Sequence, residues 1–276
     1  MKRTTGALDW SRWLWAWLQL PKVTKADGGF SDMAGAWSAT SGDAAFAKVG
    51  RLEQSLRRDM RPMKQRDFGV GCPQEGRLRE CRVADLARSA SSDVRKGQWL
   101  MAATRYQSAH LERPLRILEL GTCLGSGGDY LLSGGAEGTH YLGLEGSEEL
   151  AQFTEKRLAR HQEEGKEVRV APGPFADTLS DVVSGPSVFD TVFLDGCHEG
   201  DALRAQWEAL QSVVAGGALV VVDDIRWSGD MHAAWLDLSG QPGVAAYDLF
   251  RMGILVVGQN NTAYRGVRRT GWSQRA

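Results

Sequence analysis

From residue 116 onward, short apolar runs alternate with longer stretches of helical periodicity. The runs RILELG (116–121), HYLGLEG (140–146), VRVAPG (168–173), FDTVFLDG (189–196) and GALVVVDD (217–224) have strand length and are apolar on both faces. Helical patterns fall near 125–133, 147–164, 175–184, 199–214 and 229–238. Apolar strands separated by helices predict a parallel sheet covered on both sides. The rhythm breaks at the end, where AAYDLF (245–250) and GILVVG (253–258) are separated only by Arg251 and Met252. Two residues cannot make a parallel crossover, so these runs predict an antiparallel hairpin. The expected fold is α/β and Rossmann-like: five parallel strands, a C-terminal antiparallel hairpin and an N-terminal helical extension.

Upstream the pattern is different. Trp10, Trp13, Leu14, Trp17 and Leu18 recur at helical spacing, which predicts a short amphipathic helix over 9–20 that Pro21 ends. Residues 23–43, rich in Gly, Ser, Ala and Asp, read as a linker. Residues 44–66 read as a charged helical stretch, with six basic and two acidic residues between Arg51 and Arg66, and helices are expected over 82–109. The resulting division is 1–43 (Trp-rich helix and linker), 44–110 (helical cap), 111–260 (sheet domain) and 261–276 (basic tail).

Composition narrows the classes. The 276 residues carry a formal net charge of -1, which gives no global reason to expect nucleic acid as a partner. Cys72, Cys81, Cys123 and Cys197 lie far apart with no C-x-x-C pair, which resembles neither a zinc site nor a disulfide framework and suits a reducing, cytoplasmic setting. No run of about 18 uncharged apolar residues is long enough to span a bilayer. The basic, apolar start resembles a signal peptide, but Asp9 and Arg12 interrupt it and no small-residue cleavage site follows Leu20, so it is read as retained. Its apolar face is expected to pack on the protein body or on a second subunit, as in a homodimer, with peripheral membrane contact through 9–20 as the other reading.

The chemistry collects where strands end. In ILELGTCLGSGGDYL the first strand runs into Gly121, Gly125 and Gly127, a G-x-x-x-G-x-G spacing that differs from the dinucleotide G-x-G-x-x-G. Such a loop lets a ligand lie against bare backbone. Glu119 before it would attract the cationic amino group of a bound amino acid and repel a pyrophosphate. Glu145 ends the second strand, where a carboxylate can accept ribose hydroxyls. Gly173, Pro174 and Phe175 follow the third strand, with Phe175 as an expected adenine-side wall. Thr122 and Gly146, in the turns beside these residues, complete the expected cofactor contacts.

Asp195 closes the fourth strand, at the sheet edge where open α/β folds bind ligands, and is expected to serve both cofactor and catalysis. His198 stands three residues on, placed to take a proton from a substrate hydroxyl. Cys197 is read as a packing residue.

With these elements in place, ILELGTCLG, YLGLEGS, FDTVFLDGCH, VVVDDIRWSGDMHAAW and YDLFRMGILVV resemble, in order and spacing, a group of bacterial class I S-adenosylmethionine-dependent methyltransferases with D-D-I-x-W-S-x-x-M-x-x-A-W after the fifth strand. The resemblance covers roughly 67–258, including DFGVG at 67–71, and leaves the Trp-rich start and basic tail outside. It implies S-adenosylmethionine as cofactor and methyl transfer to a small molecule, most often at oxygen.

Asp223 and Asp224 are the sharpest question, since two adjacent anions at a strand end need a cation or donors to receive them. Three accounts compete. The resemblance to metal-dependent O-methyltransferases of the catechol type makes Asp195, Asp223 and Asp224 ligands of Mg²⁺, a hard cation suited to oxygen donors. A metal-free account pairs one aspartate with Arg226 and lets Asp224 orient His198 or the substrate. A structural account has one aspartate cap a helix or pair with an arginine. Trp227, Met231 and Trp235 follow at helical spacing, with core packing as the default and Trp227 as a pocket wall in the alternative. Two rival functions stay open: a nicotinamide-dependent oxidoreductase, disfavoured by the loop spacing and hairpin, and a catalytically silent binding protein of the same fold.

Overall fold

The structure is a computed structural model that describes residues 28–68, 76–90, 92–258 and 267–268. The Trp-rich segment at 9–20 lies outside the described residues, as do Cys72 and most of the tail. Helices α1 (Gly28–Thr40) and α2 (Ala44–Leu56) lead into a two-stranded hairpin of β1 (Pro62–Asp67) and β2 (Arg77–Arg82), then α3 (Val83–Ser89) and α4 (Val94–Leu111). Next come β3 (Arg116–Leu120), α5 (Ser126–Gly134), β4 (His140–Glu145), α6 (Glu148–Leu158), β5 (Glu167–Pro172), α7 (Phe175–Ser184), β6 (Phe189–Leu194) and α8 (Gly200–Leu210). The described chain closes with β7 (Val214–Val222), α9 (Gly229–Ser239), β8 (Val244–Asp248), β9 (Gly253–Val257) and β10 (Val267–Arg268).

The main sheet has the order β10-β8-β9-β7-β6-β3-β4-β5. Strands β5, β4, β3, β6 and β7 run parallel, as the alternation of runs and helices predicts. β9 enters antiparallel to both β7 and β8, so the terminal hairpin slots its second strand next to β7. β10, which the sequence reading left in the basic tail, pairs parallel to β8 at the sheet edge.

Period-two alternation divides the strand side chains between two cores. Ile117, Phe193, Leu219 and Val221 face the layer of α4, α5 and α6 with Leu100, Met101, Leu131 and Leu158. Leu118, Leu120, Val192, Leu194, Val220 and Val222 face α7, α8 and α9 with Leu179, Trp207 and Trp235. The same alternation turns Glu119 and Asp223 toward the α4 side, and the chemistry of the site follows from that.

Two expectations upstream are corrected. Residues 28–40 form α1, where 23–43 read as a linker: Met33 is buried and Trp37 stacks on Trp99 of α4 at 5.4 Å. Small residues that suit a linker also let two helices approach closely, and packing outweighs their modest helix propensity. The charged helix expected over 44–66 ends at Leu56, and Pro62 opens β1 instead. Proline lacks the N–H a helix interior needs but is tolerated at the first residue of a strand.

Candidate functional site

The carboxyl ends of β3, β4 and β6 open on a cavity of about 470 Å³, capped by the β1–β2 hairpin. Gly121, Cys123, Glu145, Gly146, Phe175 and Asp195 line it, so the sheet edge brings together most of the residues expected at a cofactor site. Gly121 has φ +90°, and a β-carbon there would stand 2.5 Å from the Asp195 carbonyl oxygen. The bare backbone at this position is therefore a packing requirement as well as a conformational one.

The glycine loop is held from behind by α6. The Thr154 hydroxyl donates to the Cys123 carbonyl at 2.5 Å and the Arg157 guanidinium donates to the Leu124 carbonyl at 2.7 Å. Arg157 also pairs with Glu53 at 2.5 Å and with the fully buried Asp129, which Arg160 and His161 approach as well. These cations outweigh the burial of Asp129 and hold its carboxyl below the usual range. A buried carboxylate that is multiply paired keeps its charge and fixes its neighbours in place.

Glu145 joins strand end to loop. Its Oε2 accepts the Cys123 N–H at 2.7 Å and its Oε1 accepts the Ser147 N–H at 3.0 Å. A carboxylate has about four lone-pair sites, so Glu145 retains capacity to accept a hydroxyl from the cavity it lines. Phe68 packs over Gly146 and Phe175 over Gly196, and both rings line the cavity. Phe175 was expected there. Phe68 comes from the DFGVG segment, whose resemblance to the upstream part of the family was the only signal for it.

Three residues expected at the cofactor do not line this cavity. Glu119 does not line the cavity: it is 1% exposed and accepts the Tyr141 hydroxyl behind the glycine loop. Burial pushes its pKa up to about 8, against the opposing pull of that hydrogen bond. Gly125 caps α5 and packs toward Thr154 and Arg157. Thr122 is buried, also away from the cavity wall.

Of the proposed catalytic set, Asp195 and His198 line the cavity and Asp224 does not. The His198 ring lies 5.3 Å from that of Trp227, which is 45% exposed, whereas Met231 and Trp235 of the same stripe are core residues. Trp227 therefore departs from the helix-packing default. Cys123, Cys197 and Asp224, at the ends of β3, β6 and β7, all have left-handed backbones with φ of 47°, 43° and 46°. Each such residue stores about 1–3 kcal/mol of strain, and clusters of them mark ligand sites.

The two adjacent aspartates are received by a residue none of the three accounts named. The Lys96 Nζ, in the first turn of α4, donates to Asp223 Oδ2 and lies 3.4 Å from Asp224 Oδ1. The side chains of Lys96, Asp223 and Asp224 are 11%, 2% and 11% exposed. Burial pulls the Lys96 pKa down, but Asp223, Asp195 and Asp224 overcome it and hold Lys96 above its ordinary value. Arg251 adds a second cation 3.6 Å from Asp224. Arg226 makes a bidentate pair with Asp248 at 2.7 and 2.5 Å and donates to the Phe250 carbonyl at 2.8 Å, so it braces the terminal hairpin. Asp195, beside Asp223, is held well above the carboxylate range, by burial first and then by the Asp223 charge.

This donor set does not fit the Mg²⁺ expected at Asp195, Asp223 and Asp224. An ammonium stands among the carboxylates, and among the described residues no group of three or more His, Cys, Asp or Glu side chains is arranged to hold a metal. No described helix is long and apolar enough to cross a membrane.

Residues 118–225 match a family described as a methyltransferase domain. No protein of curated function matches the sequence. Among solved structures, the O-methyltransferase of Bacillus cereus in complex with S-adenosylhomocysteine aligns over 79% of this chain and 91% of its own, at 17% identity and a TM-score of 0.54. The O-methyltransferase TomG of Streptomyces achromogenes, involved in tomaymycin synthesis and bound to S-adenosylmethionine, aligns over the same shares at 18% identity and a TM-score of 0.54. A methyltransferase of Podospora anserina, bound to S-adenosylhomocysteine, aligns over 79% of this chain and 89% of its own, at 14% identity and a TM-score of 0.51. The sheet with its inserted antiparallel strand is thus the Rossmann-like fold of the class I methyltransferases.

Proposed function

We propose that this chain is an S-adenosylmethionine-dependent methyltransferase that moves a methyl group to an oxygen of a small-molecule acceptor. The observation that carries the reading is the cavity at the ends of β3, β4 and β6, where a bare-backbone loop at Gly121 meets the Glu145 carboxylate and two aromatic walls. The match of residues 118–225 to a methyltransferase domain supports it. When bound, the cofactor would supply an electrophilic sulfonium methyl.

The chain's own residues would divide the rest. Glu145 would accept the ribose hydroxyls, Phe175 and Phe68 would supply apolar walls for the flat base, and Gly121 would let the ligand approach the main chain. His198, at the cavity wall beside Trp227, takes the proton of the acceptor hydroxyl as the new bond forms. Asp195, whose carboxyl burial and the Asp223 charge hold well above the usual range, lines the cavity together with His198. Asp223 and Asp224 act at one remove, anchoring the end of β7 through Lys96. Methyl displacement requires close, in-line approach of about 3–3.5 Å, so rigid placement of these strand ends is the main service the protein provides.

Titration calorimetry with S-adenosylhomocysteine tests the reading. We expect one site per chain, weakened at least tenfold in Glu145→Ala, and no binding of NAD. NAD binding without S-adenosylhomocysteine binding would replace it with an oxidoreductase; absence of both, with the chain folded, would leave a silent member of the fold.

A further inference from the structure

We infer that the Lys96 ammonium fills the cation position of the Asp195, Asp223 and Asp224 cluster, so that this chain binds no divalent metal there. Alternation along β7 turns Asp223 to the α4 side of the sheet, the side from which Lys96 arrives. Its Nζ engages Asp223 Oδ2 and lies 3.4 Å from Asp224 Oδ1. Mg²⁺ would need such oxygens at about 2.0–2.1 Å and an octahedral shell of further oxygens or waters. The ammonium engages Oδ2 of Asp223 and leaves Oδ1 without a hydrogen-bond partner among the described residues, and its charge opposes a second cation nearby. Arg251 lies 3.6 Å from Asp224 as a second cation at the cluster.

Lys96 is fixed in this role by its helix. Asp93 caps α4 by accepting the Arg95 and Lys96 N–H groups, both at 2.9 Å, and Arg251 reaches the same Asp93 at 3.2 Å. One residue on, Gly97 lets α4 lie directly against the Tyr130 ring of α5. Lys96 therefore enters the cluster from a rigid helix start, which makes the cation a built-in part of the fold. Only the consequence for catalysis, methyl transfer indifferent to chelators, rests on the methyltransferase reading; the binding statement does not.

The test is Mn²⁺ binding to the intact chain without cofactor, followed by electron paramagnetic resonance. Wild type is expected to show no stoichiometric site. Lys96→Met, which keeps the stem and removes the charge, should gain Mn²⁺ affinity at least tenfold over wild type, and adding Asp223→Asn should remove the gain. A stoichiometric wild-type site lost in Asp223→Asn overturns the inference, as does a folded Lys96→Met chain that gains nothing. Crystals of wild type soaked in Mn²⁺ decide the matter without variants: an anomalous peak among the three carboxylates overturns it, and Lys96 density there with no peak upholds it.

Discussion

Glu119→Gln isolates the buried acid behind the glycine loop. Burial pushes the Glu119 pKa up to about 8, against a value of 4.5 for an open chain. Between those values the unfolded chain releases a proton that the folded protein keeps. The stability this group permits is therefore complete below about pH 4.5 and falls as pH rises toward 8. At about 1.36 kcal/mol per pH unit the ceiling is roughly 5 kcal/mol, and relaxation around the ionised group reduces the expected loss to about 2–5 kcal/mol. For a chain of this size that corresponds to about 5–15 °C in Tm. Glutamine keeps an acceptor for the Tyr141 hydroxyl and cannot ionise. Thermal and urea unfolding of both proteins from pH 5 to 8.5 should show the wild type losing stability relative to Glu119→Gln as pH rises. Curves that stay parallel across the window would refute the raised pKa of Glu119.

Two glycines carry further predictions. Gly121→Ala forces a β-carbon to within 2.5 Å of the Asp195 carbonyl at φ +90° and should cost about 2–4 kcal/mol in urea unfolding, with S-adenosylhomocysteine affinity down at least tenfold by calorimetry; unchanged affinity would remove Gly121 from the cradle. Gly97→Ala drives a methyl group into the Tyr130 ring and should cost about 1–3 kcal/mol through overpacking. A denaturation midpoint equal to wild type would show that α4 is not held this closely.

The five parallel strands and the terminal antiparallel hairpin were legible in the sequence because hydrophobic periodicity and a two-residue connection are local signals, whereas the strand order and the insertion of β9 between β7 and β8 were not. So was the placing of Gly121, Glu145, Phe175, Asp195 and His198 at one edge, since a parallel sheet brings the ends of its strands together whatever the loops do. Pattern also showed that Asp223 and Asp224 needed a partner. What it could not supply was the partner's identity: Lys96 lies 127 residues from Asp223, and nothing in VRKGQWL marks its lysine above any other. That pairing depends on which helix crosses the end of β7, and so on the contact of Gly97 with Tyr130. The raised pKa of Glu119 was equally hidden, because a side chain's titration is decided by the layer packed over it. Chain periodicity determined where the functional groups stand. Only the helices closing over the sheet decided which of them keep their charge, and against which cation.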